Sequence, residues 1–226
     1  MIKRRKTNFK ITLFIAIAIL LSVCSFLIFQ NKSFKYCSNE KHLLGISDSI
    51  KEIKLDLKQT KEKLLEDIEK QYDYDISDKL LDCKLELSND EFIGFNFIKS
   101  KSIPFCGINY TYILINRNDL LFLEENIIKP NELKNIIFNL LLKQNYYDRF
   151  NLSLEWERTS SLETIENVLI QIKEAYQLYY KTKAKEKFNK KICELNDEEL
   201  SDINKIRYSL NLVRIIPEPS IPIKFN

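Results

Sequence analysis

Glycine is scarce in this chain of 226 residues: Gly45, Gly94 and Gly107 are all there is. No two of them are close enough to form the glycine-rich loop that lets backbone amides cradle a phosphate, which argues against a nucleotide site. Histidine is scarcer still, His42 being the only one. A histidine metal site or a Ser-His-Asp triad needs the imidazole set against partners, and one histidine beside a membrane stalk reads as a solvated side chain. A charge excess of one sign is also missing. The formal net charge is +3, and Lys3, Arg4, Arg5, Lys6 and Lys10 account for it at the N-terminus. Beyond residue 30 acids and bases nearly balance, so no field points to nucleic acid. No cofactor and no metal are expected.

What is present is apolar. Hydrophobic residues make up 45% of the chain and aromatics 12%, enough for a buried core. Residues 11–29 (ITLFIAIAILLSVCSFLIF) carry no charge, and about twenty apolar residues span a bilayer core. The basic block precedes this run, while Lys32, Lys35 and Lys41 follow sparsely with Glu40 among them. The positive-inside rule therefore puts residues 1–10 in the cytoplasm and the rest outside it. A cleaved signal peptide is the weaker alternative, because the one small-x-small triplet, Ala16-Ile17-Ala18, lies inside the run. A lipoprotein would use Cys24, but Val23 stands where a small residue is usual. The run holds no Asp, Glu, Lys, Arg or His, the usual mark of a proton or ion path.

Of five cysteines, Cys24 falls in the membrane run, and Cys37, Cys83, Cys106 and Cys193 would face an oxidising space. Cys83 and Cys106 flank one strand region and are the first pair to try as a disulfide; buried thiols are an equal alternative.

Residues 46–70 read as a helix. Ile46, Ile50, Ile53, Leu57, Thr60 and Leu64 fall at four- and three-residue spacings, a short heptad seam suited to a stalk or to packing on the chain's own domain. Residues 71–90 read as a loop with a short segment. Asp73, Asp75 and Asp78 there lack the glycine and terminal glutamate of an EF-hand, so they read as a solvated turn. From residue 91 the grammar changes: 92–98 and 110–115 are rich in aromatic and β-branched residues and read as strands. Turn residues Asn116 to Asp119 lead into a return strand at 120–123. Pro130 opens a helix over 131–144 with Leu133, Ile136, Ile137, Leu140 and Leu141 on one face. Residues 151–157 alternate Leu152, Leu154 and Trp156 with polar neighbours, a strand with one buried face. Ser160 with Glu163 makes a capping box before a long helix that turns Ile165, Val168, Leu169, Ile172, Tyr176 and Tyr179 inward. Asn196 with Glu199 caps another helix, and 210–216 is a last strand. The expected organisation is a cytoplasmic tail (1–10), a transmembrane helix (11–29), a stalk with an amphipathic helix (30–90), and an extracytoplasmic α+β domain (91–226), a small sheet with helices packed on one face.

The tail, the single membrane pass and a hairpin–helix–strand–helix–strand domain resemble the ExbD/TolR family of biopolymer-transport proteins. Ile113 to Leu123, then Lys129-Pro130-Asn131-Glu132-Leu133, is similar to that family's strand, turn, strand and helix start. Longer members carry an Ala-Tyr pair, then Phe-Gly-Lys, then leucine, isoleucine and Tyr-Pro. Here Ala175, Tyr176, Phe188, Lys190, Leu195, Ile203 and Tyr208 stand in the same series, with Asn189 for the glycine and Ser209 for the proline. The similarity covers the anchor and about residues 110–216. It implies a periplasmic domain on an inner-membrane anchor, partnered by further copies of itself or by a multi-pass membrane protein. Energy-transducing members carry a transmembrane aspartate; residues 11–29 have none, so that role is carried over to no residue.

The expected function is therefore a non-enzymatic, membrane-anchored envelope subunit acting through an interface. A membrane-tethered ligand-binding or sensing module is the alternative, and would need an apolar pocket with convergent polar groups. Glu155 and Glu157, on one face of their strand, are the only carboxylate pair worth inspecting for catalysis, and a solvated face explains them better.

Overall fold

The computed structural model describes residues 36–59, 61–72, 80–98, 109–144 and 150–216. The apolar run at 11–29 lies outside them, as do Asp73, Asp75, Asp78, Cys106 and Gly107. The chain divides into units Met1–Cys37 and Ser38–Asn226, and nearly all that is described belongs to the second. Its elements are α1 (Ser38–Leu43), β1 (Lys51–Ile53), α2 (Lys61–Tyr72), β2 (Leu80–Glu86), β3 (Phe92–Ile98), β4 (Asn109–Ile115), β5 (Leu121–Leu123) and β6 (Asn126–Ile128). There follow α3 (Leu133–Lys143), β7 (Phe150–Glu157), α4 (Leu162–Phe188), α5 (Asp197–Ile203) and β8 (Leu210–Ile216). The architecture is α+β around one mixed sheet of eight strands, in the order β1-β2-β3-β8-β7-β4-β5-β6.

The sheet is two blocks. In the first, β1 runs parallel to β2 and β2 antiparallel to β3. Register places Ile53 beside Leu85, Leu85 beside Ile93, and Cys83 beside Phe95, and all five side chains are buried. In the second block β7 lies parallel to both β4 and β8, and β4, β5 and β6 form an antiparallel meander. Ile113 pairs with Leu154, Ile115 with Trp156, and Leu152 with Leu210. These six, with Leu121, make one continuous apolar face that is buried, each large side chain contributing about 1.5–3 kcal/mol. The blocks meet at the pairing of Asn96 with Asn211.

Why α3 and α4 are helices is plain in their spacing. Leu133, Ile137 and Leu141 recur every fourth residue and are buried, and α3 packs against α4, where the Lys134 ammonium reaches the Glu174 carboxylate at 3.2 Å. All six residues expected on the inner face of α4 are buried. Its N-cap is Ser161, whose hydroxyl accepts from the Thr164 amide at 3.1 Å. This shifts the expected cap by one residue, because Ser160 is buried and donates to the carbonyls of Ile115 and Asn116 instead. The box at Asn196 and Glu199 is present in both directions.

The helix expected over 46–70 is not there. Only 61–72 is helical; Ile46 is buried after the turn at 44–45, Leu57 in a turn and Ile53 on β1. Three β-branched isoleucines separated by Ser47-Asp48-Ser49 favour a turn and a strand once β2 supplies the hydrogen-bonding partner. The segment read as a stalk is accordingly part of the sheet, and its compact unit begins at Ser38. Residues 80–86, read within a loop, form β2. Among the described residues no helix is long and apolar enough to cross a membrane.

Candidate interaction surface

The meander β4-β5-β6 is built by two turns that fix which side chains point outward. In the first, the Asn116 side-chain oxygen accepts from the amides of Asn118 and Leu120 at 3.0 and 2.9 Å, and Asp119 takes a positive φ of 58°. Asparagine and aspartate do both with little strain, since their short polar side chains bond locally. In the second turn Glu124 has φ 54°. Its amide donates to the Tyr112 carbonyl at 2.8 Å and its carboxylate accepts from the Tyr112 amide at 3.0 Å, extending the β4–β5 ladder into the turn.

Register then sets a row of apolar side chains across three strands: Leu114 beside Phe122, and Phe122 beside Ile127. They share the face opposite the buried one. Leu114 and Phe122 are half-buried, Tyr112 next to them is 47% exposed and Ile127 is 64% exposed. Single exposed apolar residues need no explanation, whereas a contiguous row on a sheet's outer face is the common mark of an interaction surface. The sequence did not single these residues out, because each had a core explanation. No local signal marks them, because only the register of β5 with β6 turns Ile127 outward.

Of the positions that carry the resemblance, Tyr176 and Tyr208 are brought into contact. Ala175 and Tyr176 are fully buried on α4. The Tyr176 ring stands edge-on to Tyr208 with centroids 4.8 Å apart, and its hydroxyl donates to the Ser209 carbonyl at 3.4 Å. Tyr180 donates to the Ile206 carbonyl at 2.9 Å. Burial pushes the phenols of Tyr176, Tyr180 and Tyr208 well above the ordinary tyrosine range. Phe188 ends α4, and Asn189 terminates it in the left-handed conformation at φ 53°, the position glycine holds in the resembled series. The Lys190 ammonium contacts both oxygens of Glu199 at 2.6 and 2.8 Å. That contact, with the Asn196 amide, lowers the Glu199 carboxyl. Leu195 is buried.

The remaining candidates are dispersed. Glu157 is paired with the Arg117 guanidinium at 3.3 Å, and Glu155 holds the register position beside Arg214 of β8. His42 is exposed at the end of α1. Cys83 is a buried thiol 3.1 Å from the Tyr72 hydroxyl, its pKa raised by burial; Cys106, the partner tried for it, lies outside the described residues. Cys37 and Cys193 are both disulfide-bonded. The Glu40 carboxylate approaches the Cys193 sulfur at 3.9 Å, but an oxidised sulfur is no thiolate, so this corner does not suit a metal. A groove of about 380 Å³ is lined by Leu55, Leu57, Leu85, Leu87 and Leu162 under a rim that includes Asp56, Glu86 and Glu166.

No known protein family, curated protein or solved structure matches the chain.

Proposed function

We propose that this chain is a membrane-anchored, non-enzymatic subunit of the cell envelope, similar in plan to ExbD and TolR, that works by assembling with itself or with a multi-pass membrane protein. The observation that carries this reading is the outward row Leu114, Phe122 and Ile127 at one end of the sheet, an apolar surface whose natural use is contact. Three further features support it. The element order from β4 to β8, a three-stranded meander, a helix, a strand, two helices and a strand, contains the hairpin–helix–strand–helix–strand order of the resemblance. Disulfide-bonded Cys37 and Cys193 suit an oxidising space outside the cytoplasm. The uncharged run at residues 11–29, preceded by five basic residues, suits a single anchor with that orientation.

The groove that gathers Asp56, Glu86, Asp90 and Glu166 favours a second reading, a membrane-tethered module that binds a cationic ligand.

Purification of the tagged full-length chain in mild detergent tests the first reading. A multi-pass membrane protein recovered at fixed stoichiometry, or a stable homo-oligomer, supports it. A monomer with no membrane partner overturns it and leaves the groove reading standing.

A further inference from the structure

Strand β6 closes one end of the sheet, with β5 on one side and, among the described residues, no strand on the other. Which of its backbone groups face outward follows from the ladder. In an antiparallel pair, successive residues alternate between exchanging hydrogen bonds with their partner and pointing away from it. The Glu124 amide bonds to the Tyr112 carbonyl, so on β5 the groups of Phe122 turn toward β4, and those of Leu121 and Leu123 toward β6. Leu121 pairs with Ile128 and Leu123 with Asn126. The residue between them, Ile127, therefore directs both its N–H and its C=O to the open edge. It is also the most exposed of the large hydrophobic residues described.

The sequence around Ile127 is self-complementary. Glu125 stands two residues before it and Lys129 two residues after, and Lys129 continues the strand in extended conformation. An antiparallel pairing of two copies centred on Ile127 would let Ile127 exchange two hydrogen bonds with its counterpart. The same register sets Glu125 of each copy across from Lys129 of the other. A parallel pairing would set like charges together. Both charges are available for this: Lys129 is exposed, with Glu132 3.7 Å away as its neighbour on the same chain. Short, charged edge strands ordinarily block indiscriminate pairing; here the charges permit one register and oppose the parallel one. The outward row of Leu114, Phe122 and Ile127 would then run on into its symmetry mate, doubling the apolar surface at the two-fold axis.

We infer that β6 is the self-association edge of this protein, two copies joining their sheets antiparallel about Ile127 with Glu125 opposite Lys129. This rests on the assembly reading and names its homotypic surface.

The test uses the full-length chain alone in detergent, so its failure leaves the search for a multi-pass partner untouched. In a hydrogen-bonded antiparallel pair facing Cα atoms are about 5.5 Å apart, within disulfide reach. Ile127→Cys should therefore form dimers under mild oxidation, well above the unsubstituted chain and well above Leu120→Cys, which is also exposed but lies off the strand. Glu125→Lys should weaken the dimer about tenfold, since both ends of the pairing become like-charged. Glu125→Lys with Lys129→Glu should recover it. Cross-linking of Ile127→Cys no greater than that of Leu120→Cys, or charge reversal that neither weakens the dimer nor is rescued by the double exchange, overturns the inference. Unchanged melting temperatures exclude misfolding as the cause of weakening.

Discussion

Lys173, in the middle of α4, is fully buried against the Glu91 carboxylate at the start of β3, and it also donates to the Phe92 carbonyl at 3.2 Å. The pair fastens the long helix to the first block of the sheet, beside the hydrogen bonds that the Ser88 amide and hydroxyl donate to Glu166 of α4. Removing one partner of a buried pair strands the other's charge, a loss of about 3–5 kcal/mol. Glu91→Ala should destabilise the chain by that amount in chemical denaturation. Glu91→Leu combined with Lys173→Met should recover most of it. A small effect of Glu91→Ala would mean that water reaches Lys173.

Gly94 and Gly45 make a second, sharper comparison. A Cβ at Gly94 would stand 2.5 Å from the Leu44 carbonyl oxygen and 2.6 Å from that of Gly45. Both neighbours are backbone, so β3 or the 44–45 turn must move. Gly94→Ala should cost about 3 kcal/mol, the upper end for overpacking. Gly45 has φ 66° with room around it, and Gly45→Ala should cost about 1 kcal/mol, the penalty for a left-handed alanine. Thermal melts of the two variants decide the order.

The tyrosine cluster sets an alkaline limit. Tyr176, Tyr180 and Tyr208 have folded-state pKa values raised by burial, so the folded protein keeps three protons that the unfolded chain releases above about pH 10. Their stabilisation is full below that pH and falls as pH rises. The contributions of Tyr176, Tyr180 and Tyr208 should therefore be missing from the tyrosinate absorbance of the native protein and be recovered in one step on unfolding. Gradual titration of all eleven tyrosines would contradict this. Within the cluster, the Tyr208 hydroxyl is buried with no hydrogen-bond partner among the described residues. Tyr208→Phe should be neutral or stabilising, whereas Tyr180→Phe strands the Ile206 carbonyl and should lose about 1 kcal/mol.

The cysteines should separate into two chemical classes. Cys37 and Cys193 should resist thiol reagents even in denaturant until a reductant is added, and Cys37→Ser and Cys193→Ser should each lose about 2–5 kcal/mol. Cys83 should resist maleimide in the native protein and react on denaturation, because burial both shields the sulfur and disfavours its thiolate. Rapid native labelling at Cys83 would refute that.

From β4 onward the elements were legible because each carries its own signal. Leu152, Leu154 and Trp156 alternate, Leu133, Ile137 and Leu141 recur at helical spacing, and Asn196 with Glu199 marks a helix start. Before residue 91 the local signal misled. Ile46, Ile50, Ile53, Leu57 and Leu64 happen to fall at heptad intervals, and what makes a strand of Lys51–Ile53 is a parallel partner thirty-odd residues away. The alternation of Cys83 and Leu85 with Asp82, Lys84 and Glu86 was available and would have found β2. Lys173 gave no warning: its partner Glu91 is distant in sequence, and a lysine on a helix is ordinarily read as solvated. The outward row was illegible for the opposite reason, since Ile127 has the composition of a core residue and only register shows that it is not one.

The place of β8 has a consequence for synthesis. It is the last described strand along the chain, yet it lies between β3 and β7 in the middle of the sheet. Until Leu210–Ile216 has been translated and delivered, β3 and β7 are two open edges that no other described strand is placed to fill. Each block can form as it emerges, but the halves can be joined only by the final insertion. A nascent chain halted before Leu210 is therefore a pair of half-sheets with pairing capacity to spare, a natural client for holding chaperones and a natural substrate for proteolysis.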